Sequence, residues 1–193
     1  MQTIFYRAEQ LLTPLYHQAH RHYHTLQHVE ALLKGLVTHL DLAADADGIR
    51  LAIWFHDAVY DSTKQDNEEQ SAQLAMRNLA EWGVPSQLIE RVVAMIHATA
   101  KHEWIDGQPD TALFLDLDLG ILAATTADYD RYASQIRMEY AWVPDDLYRA
   151  GRAKLLQNFL LRPHIYFTAS LAKQWEQPAR ANIQRELTLL RQV

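Results

Sequence analysis

No part of this 193-residue chain alternates apolar and polar residues for long enough to make a β-strand. Its apolar residues recur instead at three- and four-residue spacings almost from end to end. That pattern restricts the fold to helices packed on helices. Val29, Leu32, Leu33, Leu36, Val37 and Leu40 trace one face, and Ile49, Ala52, Ile53 and His56 repeat the spacing in the next segment. The run DNEEQSAQLAMRNLAEWG has an acidic first turn, a helical body and Gly83 as its stop. Pro85 then opens a helix carrying Leu88, Val92, Val93 and Ile96. Residues 102–110, HEWIDGQPD, are polar and hold a glycine and a proline, so they predict a loop. Further helices are predicted over about 111–123, 126–141, 145–161 and 179–191, with Pro163 and Pro178 punctuating the tail. Only six glycines and six prolines interrupt the chain, and 49% of its residues are apolar, enough for a core. The expectation is one all-α domain over residues 1–193, of eight or more helices and no significant sheet.

Composition narrows the chemistry. A formal net charge of −6, with no block of lysines and arginines, offers no electrostatic footprint for long nucleic acid. The absence of cysteine excludes disulfides, thiolate metal sites and cysteine nucleophiles. No apolar run approaches the ~18 residues of a membrane span, and the first residues, MQTIFYRAEQ, do not read as a signal peptide. These features predict a soluble, cytoplasmic protein.

Within that helical frame the polar residues stand out. Five of the ten histidines lie at positions 17, 20, 22, 24 and 28. As a group they read as a polar connector between helices. His28 differs, because Leu32 lies one turn beyond it on the same side and directs its imidazole toward the core. His24 is four residues earlier and shares that face if the helix starts early. His56 and Asp57 end the next apolar stripe, where either a buried hydrogen-bonded histidine or a metal ligand pair would fit. In LFLDLDLGIL, residues 113–122, two aspartates interrupt an apolar helix. Whichever stripe faces inward, Asp116 or Asp118 goes with it, and an unpaired carboxylate there costs several kcal/mol. A divalent cation removes that cost. Gly120, in the same run, costs about 1 kcal/mol in a helix, for which close approach of a neighbouring helix is one reason. Two neutral imidazoles and two carboxylates carry the charge that balances one M²⁺ ion. Mixed nitrogen and oxygen donors suit Mn, Fe, Co, Ni or Zn, with Mg as a further option.

The order of these residues resembles the HD-domain superfamily of metal-dependent phosphohydrolases, whose signature runs His … His-Asp … Asp on a helical chain. The match extends to Arg21-x-Tyr23-His24-x-x-x-His28 and to the run from His56 to Asp61. Asn67-Glu68-x-x-Ser71-Ala72, Thr99-x-x-His102 and the segment 116–122 complete it. Together they resemble a bacterial subfamily of predicted HD phosphohydrolases over roughly residues 15–125, which leaves 126–193 as helices completing the bundle. The resemblance implies that His28, His56, Asp57 and Asp118 hold the metal, with His24 and Asp116 as the alternatives to His28 and Asp118. It implies hydrolysis of a small phosphorylated molecule, nucleotides being the first class, by a metal-activated water. Glu68 is the candidate general base and Asp61 the second; the acidic first turn of a helix accounts for Glu68 equally well. Arg21, Lys64, His24 and His102 are candidate substrate contacts, with plain surface charge as the other account of the basic ones. A second metal would draw on His97 and His102. An HD-fold di-iron oxygenase and a non-catalytic metal-containing binding domain are the alternative functions. The oligomeric state stays open, a homodimer included.

Overall fold

The computed structural model describes residues 1–104 and 107–192, and among them every regular element is helical. Nine α-helices follow in order: α1 Gln2–Tyr16, α2 Leu26–Thr38, α3 Ala46–Phe55, α4 Asn67–Glu81, α5 Ser86–Thr99, α6 Pro109–Asp118, α7 Thr126–Glu139, α8 Asp145–Leu161 and α9 Ala169–Arg191. Short 3₁₀ turns cover Leu40–Leu42 and Leu119–Ala123. None of the helices is long and apolar enough to cross a membrane, among the described residues. Two residues of the predicted 102–110 loop, Ile105 and Asp106, lie outside the described residues.

The chain divides into two compact units, residues 1–117 and 118–193. In the first, α3 is the central element. Its residues Gly48, Ile49 and Leu51 to Phe55 are all buried, so its C-terminal half is apolar all round, and it packs against α1, α2, α4 and α5. A helix enclosed in this way can point a polar group only into the interior or out of its end, and His56 and Asp57 follow its last turn. α6 is enclosed as well, with every residue from Thr111 to Leu117 buried. The division between the units falls in the last turn of α6, and Asp118, the final residue of that helix, is placed by it. α2 turns Val29, Leu32 and Leu36 inward together with His28. Of the predicted face, Val37 is exposed because it lies a further step around the helix, and Leu40 is exposed in the 3₁₀ turn beyond the end of α2.

Two details tie the helix ends. The Asp110 carboxylate, in the first turn of α6, accepts the N–H groups of Ala44 at 2.7 Å and Asp45 at 3.0 Å, just ahead of α3. Asp45 in turn caps α3 through the Gly48 N–H and pairs with Arg91 of α5 at 2.7 Å. At the end of α4, Gly83 takes φ +74°, and the N–H groups of Gly83 and Val84 return to the carbonyls of Ala80 and Leu79. Nothing lies within 4 Å of where a Cβ would stand on Gly83. Gly83→Ala should therefore cost only the left-handed backbone penalty, about 1–2 kcal/mol, read as a lowered urea midpoint with unchanged slope.

The second unit packs Leu119, Leu122, Tyr129, Leu156, Phe159, Ile165, Tyr166, Ile183 and Leu187 into its own core. Asn182 of α9 donates to the Leu122 and Ala124 carbonyls and so closes the 3₁₀ turn. The predicted 145–161 helix matches α8. The last helix starts ten residues before the predicted 179, because Pro178 sits inside α9 instead of ending the element before it. A proline ring in a helix removes one hydrogen bond and crowds the carbonyl four residues back; here the flanking packing of Leu171, Ala179 and Ile183 carries the helix through. The predicted 111–123 helix starts at Pro109 and tightens to 3₁₀ after Asp118. A Cβ on Gly120 would stand 3.6 Å from the Trp175 ring, an ordinary contact, so crowding does not require the glycine there.

Candidate metal centre

Three helix ends supply the site. α2 brings His28 from its first turn, the turn after α3 brings His56 and Asp57, and α6 brings Asp118 from its last residue. His56 is only 1% exposed, and its Nδ1 lies 2.9 Å from the Ile53 carbonyl. A carbonyl only accepts, so Nδ1 carries the proton and, in the neutral ring, Nε2 presents its lone pair. The Phe114 ring stands edge-on to that imidazole at 5.6 Å and limits its rotation.

The donor atoms then converge. His28 Nε2 lies 3.2 Å from His56 Nε2. Asp57 Oδ2 lies 2.9 Å from His56 Nε2 and 3.6 Å from His28 Nε2. Donor atoms of His28, His56 and Asp118 all fall within 4.8 Å of one another. Two donors each about 2.0–2.1 Å from one ion, and about 90–110° apart around it, stand about 3.0–3.4 Å from each other. The imidazole pair sits at that separation. His28, His56 and Asp118 could thus hold a metal ion, with Asp57 Oδ2 beside the two imidazoles.

The electrostatics agree. Burial works against ionising Asp57, whose side chain is 17% exposed, but the imidazoles of His56, His24 and His28 outweigh it. Its carboxyl is held well below the usual carboxylate range. A carboxylate held ionised among those rings is the charge that a bound cation requires.

The other predicted residues fall into distinct places. His24 lies beside the group rather than in it; its ring stacks on Tyr60 at 4.3 Å and meets the His28 ring edge-on at 5.9 Å. Asp116 is wholly buried two residues before Asp118 and is not among the three grouped ligands. Glu68 is half-buried in the opening turn of α4. The Asp61 carboxylate accepts both the hydroxyl and the N–H of Thr63, which hold its pKa below the ordinary value. A carboxylate lowered in this way is a weaker proton acceptor than an ordinary aspartate. Lys64 is exposed on the same loop. His97 faces Glu69 across 3.7 Å, both well exposed, and His102 takes φ +47° beyond the end of α5. Neither belongs to the ligand group. Arg21 is buried, and its guanidinium donates to the backbone carbonyls of His24, Asp57 and Ala58.

Asn67 and Ser71 do work that their side chains alone do not reveal. Asn67 exchanges two bonds with the Asp61 backbone, and Ser71 does the same with Val59. Both hold the segment that leaves the His56-Asp57 turn. Polar residues in the first two turns of a helix, just after a loop, are the sequence signal for such anchors. Comparison of the chain with protein-family models, with curated proteins and with solved structures finds no match.

Proposed function

We propose that this protein is a metal-dependent phosphohydrolase of the HD-domain type, acting on a small phosphorylated molecule, with nucleotides as the first class to test. The observation that supports the reading most is the 3.2 Å approach of two imidazole Nε2 atoms with a carboxylate oxygen 2.9 and 3.6 Å away. Bringing two lone-pair nitrogens and a carboxylate together at the end of a buried helix is wasteful unless a cation joins them. Mixed nitrogen and oxygen donors favour Mn, Fe, Co, Ni or Zn. A divalent ion held there would supply Lewis acidity toward a phosphoryl group and toward the water that attacks it.

The chain's own residues divide the remaining work. His28 and His56 would hold the ion through their Nε2 atoms, and Asp57 and Asp118 would balance its charge. The Ile53 carbonyl keeps His56 in the tautomer that leaves Nε2 available. Glu68, free of the bonds that tie down Asp61, takes the proton from the attacking water. His24 and Tyr60 stack beside the centre and form a flat wall for the leaving group.

The test is elemental analysis of protein purified without added metal, then a panel of phosphate esters and nucleotides with that metal restored. The expected outcome is one transition-metal ion per chain, and phosphate release that a chelator abolishes and Asp57→Ala lacks. Two irons per chain with oxygen consumption would select the oxygenase instead. Bound metal without turnover on any ester would select a binding domain.

A further inference from the structure

Arg21 is only 5% exposed, an unusual depth for a guanidinium. Its Nη1 donates to the His24 carbonyl at 3.0 Å and to the Asp57 carbonyl at 2.7 Å, and its Nη2 donates to the Ala58 carbonyl at 3.0 Å. Nε donates to Gln18 at 3.2 Å. The guanidinium carbon stands over two aromatic rings, 5.1 Å from the centre of Tyr16 and 5.4 Å from that of Tyr60. Those rings are themselves tied in. The Tyr16 hydroxyl donates to the Trp54 carbonyl in the last turn of α3, and the Tyr60 carbonyl lies 2.8 Å from His20 Nε2.

The three carbonyls belong to two stretches of chain that are far apart in sequence. His24 leads into α2, which presents His28 four residues later. Asp57 and Ala58 are the turn that presents His56 and the Asp57 carboxylate. From these contacts we infer that Arg21 is a positioning residue: its guanidinium fixes the first histidine against the His-Asp pair, so that the two Nε2 atoms meet at ligand spacing before any ion arrives. The inference rests on the metal-centre reading above and extends it to a residue that touches no ligand atom of the site.

The chemistry suits arginine and not lysine. A guanidinium offers several N–H groups in one rigid plane, and here two of its nitrogens span successive carbonyls while one also reaches across to a third. An ammonium is a point donor that cannot cover that span, and it does not lie flat over two rings. The bonds are charge-assisted, so each is worth more than a neutral one. Removing them leaves three carbonyls to find other partners and frees the 17–25 connector, which has no regular helix of its own, to drift relative to α3.

The experiment measures Co(II) binding to the full chain, by titration and by the visible spectrum of the bound ion, which reports its coordination geometry. Arg21→Lys and Arg21→Ala are compared with wild type and with Gly83→Ala, which loses stability away from the centre. Both Arg21 variants should retain helical circular dichroism, bind Co(II) about 10–100-fold more weakly, and show an altered spectrum. Millimolar methylguanidinium should restore the spectrum in Arg21→Ala by taking the place of the lost guanidinium over Tyr16 and Tyr60, and should do nothing for Gly83→Ala. Arg21 variants with wild-type affinity and spectrum would overturn the inference while leaving the metal centre standing. So would variants that keep both and show only a raised KM for phosphate esters, since that is the behaviour of a substrate contact. A wild-type protein that binds no Co(II) would overturn the metal centre and this inference together.

Discussion

His56→Ala protein should lose divalent-metal binding by well over the ~100-fold that an outer partner's removal costs, and with it the stabilisation that metal confers. The imidazole makes every contact a buried ligand needs. Its Nδ1 bonds the Ile53 carbonyl, its ring lies against Phe114, and its Nε2 faces both His28 and Asp57. Truncation therefore removes one donor atom and also leaves Asp57 without its 2.9 Å neighbour, while the Ile53 carbonyl loses one of its acceptor bonds. An ion that binds the native state but not the unfolded chain raises stability by RT ln(1 + [L]/Kd). Wild type should accordingly melt higher with Mn or Zn than with chelator, and His56→Ala should melt at the same temperature in both. His28→Ala should repeat the pattern. A variant that keeps the metal-dependent shift would show that the ion binds elsewhere.

The second large effect belongs to the 118–193 unit. Glu186 of α9 receives Arg152 of α8 through two bonds, at 2.8 and 3.1 Å, and the Tyr129 hydroxyl donates to the same carboxylate at 2.6 Å. Arg152 also reaches the Tyr132 hydroxyl at 3.2 Å. The ion pair itself is buried, under 10% exposed on both sides. Glu186→Leu strands the guanidinium without its counter-charge, and breaking a buried pair in this way costs about 3–5 kcal/mol. Arg152→Met combined with Glu186→Leu should recover most of that loss, because the pair's own net worth against an apolar replacement is small. Urea denaturation of the single and double variants reads the difference; a single variant within ~0.5 kcal/mol of wild type would contradict it.

The same cluster sets a pH dependence. Burial raises the Tyr148 hydroxyl to about 12, against an ordinary 10.0. Burial, with the Glu186 charge added, raises Tyr129 further still. A group whose folded pKa is raised contributes stability that is complete below its unfolded pKa and lost as pH climbs toward the folded one. The unit should therefore be insensitive to these tyrosines below pH 10 and weaken between 10 and 12. Phenolate absorbance should appear together with loss of helix rather than ahead of it.

How far the sequence could be read follows from what each feature depends on. Helices showed because their cause is local. The α8 boundaries follow from spacing and from Pro144 ahead of it, and the end of α4 follows from Gly83. Pro178 misled because proline's effect depends on what surrounds the helix, and the packing of α9 is not a local property. Val37 misled because the apolar stripe of α2 is wider than the face it buries, and Leu40 because the helix stops at Thr38. In the site, the two imidazoles and the two carboxylates were visible as polar residues at the ends of apolar runs. The work of Arg21 was not. Its bonds go to backbone carbonyls 36 and 37 residues away, and no side-chain pattern encodes those. Asn67 and Ser71 were hidden for the same reason, since both serve the main chain of residues 59–61.

The central claim is that His28, His56, Asp57 and Asp118 gather around a single cation. A crystal grown with Mn or Zn, with anomalous scattering recorded at that metal's absorption edge, tests it most directly. The account predicts one peak about 2.0–2.2 Å from the Nε2 atoms of His28 and His56 and from a carboxylate oxygen of Asp57 and of Asp118. A peak bound by other residues, or two imidazoles still 3.2 Å apart with no peak between them in saturating metal, would contradict it.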